Sequence, residues 1–181
     1  MTTAPTIETQ RLILRGPDAR DMDGIVDYFM SERSQFTGGP VERDTAWRFA
    51  CLEIGHWAAR GYGMWAVCMK DDADTSLGLV GCWYPEGWPE KEIGWMLWPQ
   101  AEGKGIAFEA ATMARDYAYA DLGWDTAVSY IDKANLRSQT LADRLGCIKD
   151  DAAAMPRGED CFVYRHPDPA VLQDGGMEAY A

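Results

Sequence analysis

Apolar residues occur along the chain in two patterns, one typical of strands and one typical of helices. Segments of the two kinds follow one another, and together they predict a mixed α/β protein. Short apolar runs bounded by turn residues are typical of strands, and seven such strands are expected. They lie at residues 11–15, 63–69, 77–83, 91–98, 126–131, 147–150 and 160–165. Apolar spacings of three and four residues predict four helices. They lie at residues 18–32, 44–61, 104–122 and 135–146.

The same pattern predicts how these elements are organised. Short polar segments separate the strands between residues 63 and 98, which favours antiparallel pairing. No internal repeat or linker divides the 181 residues, a length suited to one buried core. We therefore expect one α/β (α+β) domain over residues 1–166, with a mixed, mostly antiparallel sheet. Residues 167–181 are expected to form a loose C-terminal tail.

Helical spacing also predicts which helix faces are buried. In the helix over 44–61, Asp44 is the expected N-cap and Gly61 the expected end. Its buried side is predicted to comprise Trp47, Ala50, Cys51, Ile54, Trp57 and Ala58. The corresponding set in the helix over 104–122 is Ile106, Ala110, Met113 and Tyr117.

Composition and charge argue against several classes of protein. The net charge of -12 disfavours nonspecific nucleic-acid binding, which needs a positive surface, and is compatible with a cationic substrate. No apolar run approaches the roughly 18 residues of a membrane helix, and the N-terminus has no export-signal pattern. We therefore expect a cytoplasmic protein without a membrane partner. The five cysteines form no CxxC pair, and with only two histidines we expect neither a metal site nor a Ser-His-Asp triad.

Two glycines at the start of the helix over 104–122 suggest an anion site. A helix N-terminus carries unpaired N–H groups and a partial positive charge, and Gly103 and Gly105 leave these groups open to a phosphate or pyrophosphate. A plain strand-to-helix turn is the alternative. The segment lacks the GxxxxGK[ST] sequence of a P-loop and the third small residue of a dinucleotide-binding GxGxxG fingerprint.

Several motifs, in a fixed order, resemble those of one enzyme family. Residues 100–105, QAEGKG, match Q/R-x-x-G-x-G/A, the coenzyme A pyrophosphate loop of the GNAT acetyltransferases. ETQRLILR at 8–15 and EIGWML at 92–97 are similar to two strands of its ribosomal-protein-alanine/serine N-acetyltransferase-like branch. EAATMARDYAYADLGWD at 109–125 is similar to the long helix of that branch, and NLRS at 135–138 to its N-x-x-S. Order and spacing agree over residues 8–166.

This resemblance implies the GNAT fold and acetyl-CoA as co-substrate, with no metal. In that fold a seven-stranded sheet, flanked by about four helices, splays into a V between its fourth and fifth strands, here 91–98 and 126–131. The pantetheine arm would pair with the fourth strand, and a backbone N–H near Leu97 would face the thioester carbonyl. Carried over by motif, the cofactor-binding residues are Met96, Leu97, Trp98, Gln100, Ala101, Glu102, Gly103, Lys104, Gly105, Ile106, Ala107, Asn135 and Ser138.

The implied reaction is direct attack of a primary amine, on a protein N-terminus or a small molecule, on the thioester. It needs two proton transfers, because an alkylamine is protonated at pH 7 and the departing thiolate needs a proton. Glu92 is the candidate base and Glu90 a weaker one; Ser138 is the candidate acid, with Tyr130 as a substitute. Other roles stay open for these residues. Glu92 could lie in solvent or only orient the substrate, and Ser138 could only cap the helix. Asn135 could be the N-cap of the same helix.

Two positions depart from the family pattern. Glu102 replaces an aromatic residue, and its charge should weaken pyrophosphate binding unless it points away or pairs with Lys104. Cys147 replaces a phenylalanine and is expected to pack in the core.

Aromatic candidates for the acceptor side are Trp47, Trp83, Tyr84, Trp88 and Trp95. A noncatalytic coenzyme A-binding module and an acyltransferase for a longer acyl chain are the other functions considered, and homodimers are common in the branch.

Overall fold

A computed structural model describes residues 4–175, which form one mixed sheet with helices packed against it. The strands are β1 (Ile7–Glu8), β2 (Leu12–Arg15), β3 (Met64–Met69), β4 (Asp72–Trp83), β5 (Glu92–Leu97), β6 (Val128–Asp132), β7 (Ile148–Lys149) and β8 (Cys161–Arg165). The helices are α1 (Met22–Met30), α2 (Arg43–Arg60), α3 (Ile106–Ala120), α4 (Leu136–Arg144) and α5 (Pro169–Gly175). Short 3₁₀ turns lie at Glu32–Phe36 and Pro99–Ala101.

The described strands form an eight-stranded sheet in the order β1-β2-β3-β4-β5-β6-β8-β7. Neighbouring strands are antiparallel except for β5 and β6, which are parallel. This confirms the predicted α/β class and the mostly antiparallel sheet. The strand that was not predicted is β1, where Ile7 pairs with Leu14. With two residues, it is too short to show an alternating pattern of its own.

β4 begins well before its apolar segment. Residues 70–76, expected to be a spacer, contain a tight turn and the first part of β4, and Met69 pairs with Asp72. Residues 72–76 are exposed or half-buried, so this part of the hairpin extends beyond the core. Hydrophobic periodicity therefore locates only the buried part of this strand.

α2 is rotated by about one residue from its predicted orientation. Glu42, not Asp44, is the N-cap, whereas Gly61 ends the helix with a left-handed φ of 80°, as predicted. Trp47 was expected inside but is 55% exposed. Of the predicted set only Ala50 and Trp57 are buried, and the other buried residues of α2 are Ala46, Glu53 and His56. The prediction selected the most apolar arc, whereas the small alanines allow α1 to pack closely against the adjacent arc.

The core occupies both faces of the sheet, because successive strand residues point to opposite faces. In β3, Trp65 packs in the cluster that contains α3, and Met64 in the cluster that contains α1 and α2. The hydrophobic residues that α3 buries are Ile106, Ala110, Ala111, Ala114 and Ala118. Met113 and Tyr117, predicted on this side, are half-buried. Cys147 is buried in the same cluster, as predicted.

β5 and β6 meet in parallel where Glu92 lies opposite Val128. Beyond this position, residues of both strands line an open cleft.

α5 lies inside the predicted loose tail, and residues 176–181 of that tail fall outside the described residues, so its looseness stays a prediction. All five cysteines are free thiols. None of the helices in residues 4–175 has the length and apolar character needed to cross a membrane.

Candidate active site

A cleft of about 1540 Å³ opens where β5 and β6 separate. Its walls come from these two strands, the first turns of α3 and α4, and the segment between α1 and α2. The turn that contains Gly103 and Gly105 lies beyond the C-terminal end of β5, and Glu92 begins the same strand. A six-residue strand is roughly 17 Å long, so the cleft joins two separate sites.

The turn before α3 presents free backbone amides to the cleft. Gly103 and Gly105 have φ values of 70° and 73°, in the left-handed region that favours glycine. A Cβ added at Gly103 would meet nothing within 4 Å. Within residues 4–175, no group accepts a hydrogen bond from the N–H of Gly103, Gly105, Ile106 or Ala107. With the partial positive charge of the helix end, these amides suit an anionic group.

Glu102 pairs with two arginines rather than with Lys104. Its Oε1 accepts hydrogen bonds from Arg33 Nη2 at 2.6 Å and from Arg137 Nη1 at 2.7 Å. Arg33 follows α1 and Arg137 lies in the first turn of α4, so the carboxylate links two walls of the cleft. The Arg33 guanidinium lowers the pKa of Glu102. The anion that departs from the family pattern is thus compensated by two cations.

We expect Glu102→Gln to tighten acetyl-CoA binding by about two- to fivefold, the effect of a partly exposed ion pair. The change removes an anion beside the free amides and releases Arg33 and Arg137 toward a polyanionic ligand. Calorimetric titration with acetyl-CoA measures the dissociation constant. Glu86→Gln, at an exposed carboxylate outside the cleft wall, controls for net charge. A dissociation constant equal to or above that of the wild type would contradict this expectation.

Glu92 lies in the gap between the separating strands. Its Oε2 accepts a hydrogen bond from Trp88 Nε1 at 2.7 Å, and its Oε1 accepts one from the Tyr130 N–H at 3.4 Å. Burial raises the pKa of Glu92 to about 7, although both hydrogen bonds favour the ionised form. A carboxyl group with this pKa is suited to accept a proton near neutral pH.

The weaker candidates, Glu90 and Tyr130, are engaged with other groups. The Glu90 carboxylate makes a bidentate ion pair with Arg165, at 2.8 and 2.9 Å. The Tyr130 hydroxyl accepts a hydrogen bond from the Glu90 N–H at 3.1 Å, and burial raises the pKa of Tyr130. Glu90 is therefore neutralised by an arginine, and Tyr130 is a weaker acid than an ordinary phenol.

Ser138, in the first turn of α4, is held at the cleft by two hydrogen bonds. Asn135 Oδ1 accepts from the Ser138 N–H at 3.2 Å, so Asn135 is the N-cap of α4 and Ser138 is not. Ser138 Oγ accepts from Trp95 Nε1 at 3.1 Å. Because Oγ is an acceptor in this contact, its own O–H stays available to donate to another group.

Most of the predicted cofactor-binding residues line the cleft. They are Met96, Leu97, Ala101, Glu102, Gly103, Gly105, Ile106, Ala107, Asn135 and Ser138. Three others lie off its wall: Trp98 is buried against Tyr28 of α1, and Gln100 and Lys104 are exposed. The aromatic candidates on the wall are Trp83, Trp88 and Trp95, whereas Trp47 and Tyr84 lie outside it.

Among the cleft residues that were not predicted from the sequence is Glu53 on α2. Its side chain is 5% exposed, and Oε2 has no hydrogen-bond partner within residues 4–175. Burial, and then the nearby charge of Glu92, raise the pKa of Glu53 to about 8. The spacing of Ala46, Ala50, Glu53 and Trp57 places all four on one side of the helix, so the signal was present in the sequence.

No metal centre emerges in the part of the chain that the structure describes, where no group of three or more His, Cys, Asp or Glu side chains converges. Both histidines pack inside the protein. Burial lowers the pKa of His166 to about 3, and its Nε2 lies 3.0 Å from Ser129 Oγ. His56 Nε2 accepts a hydrogen bond from the Tyr84 N–H.

Residues 11–148 match the family model described as an acetyltransferase (GNAT) domain. The crystal structure of an acetyltransferase from Agrobacterium tumefaciens strain C58 is 34% identical, with a TM-score of 0.84 over 92% of this chain and 96% of its own. A Vibrio cholerae structure, proposed by its name to be a ribosomal-protein-serine acetyltransferase, is 21% identical, with a TM-score of 0.70 over 92% and 100%. The uncharacterized N-acetyltransferase YnaD of Bacillus subtilis is 22% identical over 158 residues, 85% of this chain and 90% of its own.

These likenesses agree with the motifs and with the fold. The family model spans more than half of the chain, and the Agrobacterium structure matches nearly all of it. The more distant Vibrio structure shares the architecture. The resemblance inferred from the sequence is therefore confirmed, and the chain belongs to the GNAT family of acetyltransferases.

Proposed function

We propose that the protein transfers the acetyl group of acetyl-CoA to a primary amine, on a protein N-terminus or a small molecule, by direct attack on the thioester. The observation that carries this proposal is the continuity of the cleft. Free amides at one end lead along β5 to the half-buried carboxylate of Glu92 at the other. An anion site and a base joined by one channel are the parts that this reaction needs.

The residues on the cleft wall fit acetyl-CoA. The amides of Gly103 to Ala107 would hold the pyrophosphate, and Arg33 and Arg137 add positive charge at that end. The gap between β5 and β6 would admit the pantetheine arm, with the side-chain amide of Asn135 available to it. Acetyl-CoA supplies an activated acetyl group, so no side chain has to form a covalent bond.

Glu92 and Ser138 would carry the two proton transfers. Glu92 would accept the proton of the acceptor ammonium, directly or through water, while the Trp88 indole holds its carboxylate in place. Ser138 would donate its hydroxyl proton toward the departing sulfur. The Trp95 N–H donates a hydrogen bond to Ser138 Oγ, so the Ser138 hydroxyl proton points away from Trp95.

Two measurements test this proposal. Calorimetric titration with acetyl-CoA, with desulfo-CoA as a nonreactive control, is expected to show micromolar binding. Thiol release with a panel of amines is expected to depend on the amine. Binding without amine-dependent release would favour a noncatalytic coenzyme A-binding module, and faster release from longer acyl-CoA would favour a different acyltransferase. No binding at millimolar acetyl-CoA would overturn the proposal.

Ser138→Ala is expected to lower kcat by about tenfold or more and to change the KM for acetyl-CoA by less than about threefold. The alanine keeps the backbone N–H that Asn135 caps but lacks the hydroxyl proton, so the loss should fall on the chemical step. Thr140→Val, which removes another hydroxyl of α4, should retain the wild-type kcat. A kcat of Ser138→Ala within twofold of wild type would exclude Ser138 as the acid.

We further propose a cytoplasmic protein whose partners are acetyl-CoA and the amine, with no nucleic acid and no membrane. The net charge of -12 supports this, because it repels phosphate backbones and anionic lipid surfaces. A homodimer is proposed from the family likeness alone. Light scattering coupled to size-exclusion chromatography tests it.

A further inference from the structure

We propose that Glu53 anchors a second cationic group of the acceptor, which makes an aliphatic diamine the substrate class. The inference rests on the proposed acetyl transfer and adds the chemistry of the acceptor to it. Three features carry it: a buried carboxylate oxygen without a partner, the distribution of charge along the cleft, and the tryptophans that line the cleft.

The Glu53 carboxylate is placed as a ligand-binding group. α2 carries it into the cleft wall, where it is 95% buried by the protein, and Oε2 finds no donor within residues 4–175. Buried polar atoms are nearly always hydrogen-bonded, and an ionised carboxylate needs a cation or several donors. A donor from a bound molecule would supply what the described part of the chain does not.

The cations of the cleft are engaged at its other end. Arg33 and Arg137 bind Glu102, and Arg144 lies over the Phe108 ring at 4.8 Å from its centroid. The described residues of the wall include no lysine. This end of the cleft is therefore suited to the anionic part of acetyl-CoA.

The end that contains Glu53 has the opposite character. The charge of Glu92 lies close enough to Glu53 to raise the pKa of Glu53, and the charge of Glu159 lies close enough to Glu92 to raise the pKa of Glu92. Trp88 bonds to Glu92, and Trp83 stacks on His56, three residues after Glu53 in α2; both line the cleft, and indole faces attract ammonium groups. This combination of carboxylates and aromatic rings favours a positively charged acceptor over a neutral or acidic one.

One ammonium group cannot satisfy both Glu53 and Glu92. When Glu92 takes the proton of the reacting amine it becomes neutral, and the reacting nitrogen loses its charge. Glu53 is then a buried carboxyl group that ionises favourably only beside another cation. A second ammonium at the far end of the acceptor meets this requirement, and a monoamine does not.

The test compares two acceptors of the same length. In n-pentylamine a methyl group replaces the second ammonium of 1,4-diaminobutane. We expect wild-type kcat/KM to be about tenfold or more higher for the diamine, because a charge-assisted hydrogen bond in a buried site gives at least this factor. Glu53→Gln should reduce the preference to threefold or less and leave n-pentylamine within threefold of wild type. Glu42→Gln, at an exposed carboxylate outside the cleft wall, should keep the full preference.

Equal rates for the two acceptors in the wild type, or equal losses for both in Glu53→Gln, would overturn the proposal. Thermal unfolding of Glu53→Gln checks that the variant folds. If neither amine is acetylated, calorimetric binding of 1,4-diaminobutane to the protein saturated with desulfo-CoA gives a separate readout. Binding weakened tenfold by Glu53→Gln would support the anchor even though the proposed transfer had failed, and undiminished binding would refute it.

Discussion

Replacing Glu92 with glutamine is expected to lower kcat by about 100-fold or more at neutral pH, the contribution of an effective general base. The substituted side chain would keep its size and an acceptor for the Tyr130 N–H, but it could not accept a proton. Steady-state acetyl transfer from pH 5.5 to 9 measures the effect. In the wild type the rate should fall as the pH drops through about 7, because protonation then removes the base. This limb of the profile should be absent in Glu92→Gln.

Trp88→Phe provides a matched control for the role of Glu92. Trp88 Nε1 donates to the Glu92 carboxylate and favours its ionised form, so losing this bond should raise the pKa of Glu92 further. The acid limb should move to higher pH while the rate at high pH stays within about threefold of wild type. The wild type and Trp88→Phe are assayed with the same amine, so protonation of the amine affects both pH profiles equally and cancels in the comparison. A Glu92→Gln rate within threefold of wild type across the range would exclude Glu92 as the base.

The fold was predictable where burial imposed a pattern on the sequence. Buried strands such as β3 and β5 show continuous or alternating apolar residues, and their positions agree with prediction within about two residues. β1 contributes a single apolar residue to the core, Ile7, and the exposed start of β4 is held by backbone pairing at the edge of the core, so neither shows a period of apolar residues. The predicted buried face of α2 was shifted by about one residue, because the large exposed Trp47 outweighed small buried alanines in the pattern.

The candidate site also contains residues whose arrangement was predictable from the sequence and others whose arrangement was not. The glycine turn and the Asn135–Ser138 pair lie within short continuous motifs, and their local geometry follows from sequence. The partners of Glu102 do not, because Arg33 lies 69 residues away in the chain and meets it only after the sheet forms. Glu53 was missed because a lone carboxylate within a helix is normally assigned to a solvated face. Its burial depends on which arc of α2 packs inward.

Gly103→Asp is expected to weaken acetyl-CoA binding by about 30-fold or more, or ~2 kcal/mol, because a carboxylate would stand before the amides that bind the pyrophosphate. Gly103→Asn is the matched control. Asparagine and aspartate tolerate a φ of 70° similarly, and their side chains are nearly equal in size. The strain and bulk of the substitution are therefore common to both variants, and charge is the main difference. Calorimetric titration should place the dissociation constant of Gly103→Asn within about fivefold of wild type.

Gly103 is a better position for this test than Gly105. A Cβ at Gly105 would lie 3.4 Å from Arg11 Nη2, so an aspartate there would be neutralised by a neighbouring cation. At Gly103 a Cβ meets nothing within 4 Å, and the new charge would face the open cleft. Equal weakening by aspartate and asparagine would show that steric fit, not charge, governs this turn. Undiminished binding in Gly103→Asp would mean that the pyrophosphate lies elsewhere, and the free amides of α3 would then have no assigned ligand.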